Sequence, residues 1–99
     1  MLPNNRIATH PGKILFEEFL KPLGVIQVTF AHHIEVPLQR VNEIIRGKRG
    51  ITSETTWFFS EAFGATPQFW INLQDEIELT SKRPQQSVNR LITTTKWLH

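Results

Sequence analysis

The 99 residues make a single domain with room for one modest hydrophobic core; 39% apolar and 20% charged residues describe a globular chain and exclude a disordered one. Without cysteine there is no disulfide framework and no thiolate metal site, which suits a reducing cytosol. No apolar run approaches the roughly 20 residues of a membrane span, and the first residues lack the apolar core of a signal peptide, so a cytoplasmic protein with no membrane partner is expected.

Residues 1–9 (MLPNNRIAT) show no periodicity and read as an N-terminal arm. His10-Pro11 marks a helix entry, because proline at the first helical position loses nothing by lacking an N–H. Ile14, Leu15, Phe19 and Leu20 follow at helical spacing, and Lys21 before Pro22 is predicted to close that helix, with Gly24 in the turn. A second short helix starts near Gln27 and runs through Phe30, Ala31 and Ile34. Pro37 opens a third, which points Val41, Ile44 and Ile45 inward with Leu38 at its edge and stops at Gly47, a left-handed cap. Thr52 or Ser53, followed by Glu54, starts a fourth that ends at Gly64. Thr66-Pro67 starts a fifth, carrying Phe69, Trp70, Leu73 and Ile77 at helical spacing. The polar SKRPQQS stretch breaks that helix. The division is an arm at 1–9, a helical domain at 10–79 and a C-terminal extension at 80–99.

Charge is unevenly spread over this frame. The net charge of +2 is too small to point to nucleic acid, but residues 38–50 hold Arg40, Arg46, Lys48 and Arg49 against the single acid Glu43. Residues 69–79 hold Asp75, Glu76 and Glu78 and no base. A basic patch on a balanced domain is the footprint of a phosphate-binding surface, although a solvated helix end would carry similar charges.

The second and third helices have the lengths and the tight connection of a helix-turn-helix. Ala31 supplies the small residue where the helices cross, and Val41, Ile44 and Ile45 pack the second on the first. At 100° per residue, Gln39, Glu43 and Arg46 then share the outward face, flanked by Leu38, Arg40 and Asn42. That face suits the major groove of double-stranded DNA. Gln39 is matched to a bidentate bond with adenine and Leu38 to a thymine methyl. Glu43 either accepts from cytosine N4 or orients a neighbouring arginine. Arg40, Arg46, Lys48 and Arg49 read as phosphate contacts, which position without specifying sequence. Gln27 suits a phosphate beside a helix N-terminus, and Pro37 stands at the opening turn of the same surface.

The stretch VNEIIRGKRGITSETTWFFSEAFGATPQFWINLQDEIEL, with HPGKILFEEFLKPLG and QVTFAHHIEV before it, strongly resembles the HigA/VapI-type antitoxins, a branch of the Xre-like helix-turn-helix family. The likeness spans residues 9–79 or so and rests on Val41-Asn42-Glu43-Ile44, Gly47-Lys48-Arg49-Gly50-Ile51 and Phe69-Trp70 with Asn72-Leu73-Gln74. It implies an all-α, five-helix Xre/lambda-repressor-like DNA-binding domain, here with a short C-terminal extension, and a homodimer on operator DNA. It also implies a type II toxin–antitoxin module, in which the protein represses its own operon and neutralises a RelE-like mRNA-cleaving toxin from the neighbouring gene. A stand-alone Xre-type repressor without a toxin is the alternative. A protein-interaction module that has lost DNA binding is disfavoured by Gln39, Arg46 and Lys48.

The chain departs from the family pattern at four places. Glu35 stands where the turn usually has glycine, so a left-handed residue with some strain is expected. His32-His33 replaces common Arg or Ala, Thr56-Trp57-Phe58-Phe59 replaces Ala-Leu-Arg-Leu, and the tail after Leu79 is not covered. Adjacent histidines on a helix diverge by about 100° and cannot chelate one ion, so no metal or other cofactor is expected. No nucleophile–base set, glycine-rich phosphate loop or paired-carboxylate pattern suggests an enzyme. Phe58, Trp97 and Leu98 are candidate partner or dimer contacts; the competing reading folds the tail back on its own core.

Overall fold

The computed structural model describes residues 8–91. Residues 1–7 of the arm, and Trp97 and Leu98, lie outside that range. The described residues form five helices and no strand.

Helix α1 covers 11–23 in three stretches: α-helical Pro11–Ile14, a π-helical Leu15–Leu20 and α-helical Lys21–Leu23. Pro22 therefore does not close the helix at Lys21, where the sequence predicts its end; the helix continues through Leu23 and is capped by Gly24 at φ 69°. The physical reason is the wider turn before it. In an α-helix the Pro22 ring would collide with the carbonyl four residues back, and the π stretch carries the bonding one residue further, with the Lys21 N–H donating to the Phe16 carbonyl.

The other helices are α2 (Gln27–Ile34), α3 (Leu38–Ile45), α4 (Ser53–Phe63) and α5 (Pro67–Ser81). Their ends follow local chemistry. Glu35 caps α2 in the left-handed region at φ 58°, the lone non-glycine among the described residues with positive φ. The Val36 N–H reaches back to the Ala31 carbonyl at 3.0 Å and tucks the Val36 side chain into the core. Gly47, at φ 75°, ends α3 in the same way, the Lys48 N–H donating to the Glu43 carbonyl at 2.9 Å. Thr52 is the α4 cap. Its hydroxyl accepts from the Thr55 N–H at 3.2 Å, and the Thr55 hydroxyl accepts from the Thr52 N–H at 2.8 Å. The fifth helix ends at Ser81, within the polar stretch.

One core holds these helices together. Leu15 and Leu20 from α1, Phe30 and Ala31 from α2, Val41 and Ile44 from α3, Phe59 from α4 and Trp70 from α5 are all buried. Its centre is aromatic: Phe59 meets Trp70 edge-on at 5.1 Å, and Phe63 stacks on Phe30 at 5.3 Å, geometries that add to the area buried. Phe58 is half-buried against this core, whereas Trp57 stands in solvent.

His10 caps α1 by a bond that only its neutral ring can make. Nδ1 accepts from the Gly12 N–H at 2.9 Å, and burial lowers its pKa from the ordinary 6.5. As pH falls, the unfolded chain takes up this proton before the folded one. The stabilisation is complete above pH 6.5, the unfolded value, and is lost as pH falls from there through the lower folded value. Melting between pH 7.5 and about pH 5 should therefore show a fall that His10→Asn, which caps without titrating, removes. An unchanged slope in His10→Asn would assign the fall to other groups.

Candidate nucleic-acid interface

Helices α2 and α3 are joined by Glu35-Val36-Pro37 and pack through the buried Ala31 and Val41. Behind its buried Val41 and Ile44, helix α3 is also approached closely by backbone. Gly12 of α1 is buried so close to α3 that a Cβ would fall on the Ile44 carbonyl and 2.9 Å from the Ile45 Cα. The loop after α3 is fixed by Gln74 of α5. Its Oε1 accepts from the buried Ile51 N–H at 3.0 Å, and its Nε2 donates to Glu78 Oε2 at 2.6 Å. Sequence reasoning names Gln74 within a family motif and gives it no task; nothing in the local pattern signals a bond across 23 residues.

The front of α3 is organised around Glu43. Its Oε1 accepts from Arg49 Nε at 2.9 Å, and its Oε2 lies 3.4 Å from Gln39 Nε2. A carboxylate so engaged presents its two partners outward and holds them in register. Arg46 and Lys48 are exposed and form no ion pair with a described residue, so their charge is available to an external anion. On one flank, Asn42 Nδ2 donates to Gln27 Oε1 at 3.2 Å and ties the start of α2 to α3. That bond leaves the Gln27 amide N–H groups free to donate. Leu38 and Pro37 are exposed at the start of α3.

Arg40 lies on the other flank, about 160° around the helix from Asn42, and pairs with Glu54 of α4 at 3.4 Å. The structure thus joins Gln39, Glu43 and Arg49 in one bonded set and Gln27 with Asn42 in another, and places Arg40 beside α4. Both histidines of the His32-His33 pair are exposed. Among the described residues no group of His, Asp and Glu is arranged to hold a metal ion, and no helix is long and apolar enough to cross a membrane.

No family model matches the chain. It is 40% identical over 90 residues to virulence-associated protein I of Dichelobacter nodosus, covering 90% of this chain and 83% of that one. It is 32% identical over 72 residues to antitoxin HigA-1 of Vibrio cholerae, covering 73% and 68%. The antitoxin HigA of Pseudomonas aeruginosa, solved with the higBA promoter, superposes with a TM-score of 0.80 at 30% identity, covering 87% of this chain and all of that one. With the resemblance of its motifs, its five helices and these relatives in agreement, the chain belongs to the HigA/VapI-type antitoxin branch of the Xre-like helix-turn-helix family.

Proposed function

We propose that this chain is a non-catalytic, cytoplasmic DNA-binding antitoxin. It represses its own operon as a homodimer and neutralises a RelE-like mRNA-cleaving toxin encoded beside it. The observation that carries the DNA reading is the exposed front of α3: Gln39, Glu43 and Arg46 face outward, Arg46 and Lys48 are free of ion pairs, and Gly12 and Ala31 hold the helix from behind. That is the construction of a recognition helix in the major groove. A relative solved with the higBA promoter supports DNA as the partner.

In this reading Gln39 contacts a base, while Arg46, Lys48, Arg49 and Gln27 hold phosphates. Two copies place their α3 helices in successive major grooves, so the operator is palindromic with half-sites about 34 Å apart. Gln39→Ala should relax choice at one base pair and cost about 1–3 kcal/mol on the specific site alone. Arg46→Ala should weaken binding to every sequence and reduce the slope of log K against log salt by about 1. Binding titrations on operator and scrambled duplexes read both. Equal loss on the two duplexes for Gln39→Ala would remove its base-reading role.

The toxin half of the proposal is tested by co-expression with the adjacent open reading frame. Growth rescue together with co-purification establishes the antitoxin. A harmless neighbour that does not bind leaves a stand-alone repressor with the same DNA contacts.

A further inference from the structure

The flank of α3 that carries Arg40 opens into a groove of about 620 Å³ between the α2–α3 turn and α4. Its lining combines the apolar Val36, Phe58 and Ala62 with the acids Glu35, Glu54 and Glu61, beside His33 and Arg40. Arg40 is already committed to Glu54. Glu35 and Glu61 form no ion pair with a described residue. Glu35 is also the strained residue: glycine would make the same left-handed turn without a penalty of order 1 kcal/mol. A carboxylate kept there against that penalty points to a task at the groove.

The same chain carries a segment of complementary character. Every residue from 79 to 91 is exposed, including Leu79, Val88 at 88% and Leu91 at 83%. From 82 to 91 the bases are Lys82, Arg83 and Arg90, and there is no acid. The described chain is 55 Å long against 28 and 24 Å across, an elongation that fits an extension lying off the helical body instead of across its own groove. Apolar groups left in water favour burial against another surface. DNA would satisfy the bases but leave Val88, Leu91 and Phe58 wet.

We propose that the 82–91 extension of one copy docks in the groove of a second copy, with its bases among Glu35 and Glu61 and its Val88 and Leu91 against Phe58. Two copies then exchange extensions reciprocally, a closed arrangement that leaves neither groove open. The groove takes in Pro37 and Arg40 at the edge of the α3 surface but none of Gln27, Gln39, Arg46, Lys48 and Arg49, so the contact leaves the proposed base and phosphate contacts uncovered.

The absence of cysteine makes disulfide trapping unambiguous. Tagged full-length Ala62→Cys is mixed with untagged Val88→Cys under mild oxidation. Heterodimeric disulfide should form several-fold above a control pairing of Val88→Cys with Val28→Cys, an exposed site outside the groove. It should fall to the control level when Glu35→Lys and Glu61→Lys are added to the tagged partner, with circular dichroism confirming that each variant folds. Trapping at control level, or trapping indifferent to the charge reversal, overturns the proposal. So does closure within single chains alone when one chain carries both cysteines. Trapping at control level with operator affinity lost on truncation after Ser81 would assign the extension to DNA.

Discussion

Gly12→Ala is expected to lower the melting temperature by roughly 10–20 °C, against the ordinary effect of alanine in a helix. Alanine is favoured over glycine by about 1 kcal/mol in a helix interior, so propensity alone raises stability. The structure reverses that sign. Gly12 is buried in the first turn of α1, and an added Cβ would fall on the Ile44 carbonyl and within 2.9 Å of the Ile45 Cα. Both obstacles are backbone, which no rotamer change removes; α1 or α3 must move as a unit. Overpacking of this kind costs about 1–3 kcal/mol or more, and each kcal/mol shifts the melting point of a domain this size by about 4–8 °C. Gly24→Ala is the control. It meets nothing within 4 Å but sits at φ +69°, so about 1 kcal/mol is expected there. Thermal unfolding by circular dichroism checks both. A Gly12→Ala protein that melts at or above the parent temperature would show that α1 and α3 do not make this approach. Because α3 carries the proposed base contacts, folded Gly12→Ala should also bind operator more weakly.

The features legible in the sequence are the local ones. Pro11, Gly47, Gly64 and Thr66-Pro67 mark helix ends because each acts through its own backbone, and the helices begin and end there. Glu35 in the left-handed region is legible only through the family resemblance, whose pattern has glycine at that turn. The 100° step places Val41 and Ile44 inside and Arg46 outside. Pro22 misleads, because a π stretch that no residue pattern announces carries the helix past it. The bonds that organise the α3 front were out of reach. Asn42 with Gln27, Arg40 with Glu54 and Gln74 with the Ile51 N–H join residues 14 to 23 apart, and periodicity carries no information on such pairs. Gly12 shows the limit: in sequence it is a weak helix former, and its reason is a backbone on another helix.

Gln74→Ala is expected to cost about 1–3 kcal/mol, the penalty of leaving a buried N–H without an acceptor. The Ile51 N–H loses its partner, Glu78 loses a donor, and the loop that carries Lys48 and Arg49 loses its tie to α5. Amide exchange separates this local effect from general destabilisation: the Ile51 amide should lose protection beyond the drop in global stability, while amides in the middle of α5 should follow the global value. Gln74→Glu gives the complementary outcome. It keeps an oxygen for Ile51 but sets a second carboxylate beside Glu78, where like charges raise the pKa of one of the pair. With a folded pKa above the unfolded one, that pair destabilises at neutral pH and less as pH falls toward the carboxylate range. Gln74→Glu should therefore lie furthest below the parent near pH 7 and approach it near pH 5, whereas Gln74→Ala keeps a constant deficit. Parallel pH curves for the two variants would mean that Gln74 only fills space. Divergent curves, with operator affinity falling in Gln74→Ala at a temperature where it is fully folded, would make α5 the support that holds the basic loop against the phosphates.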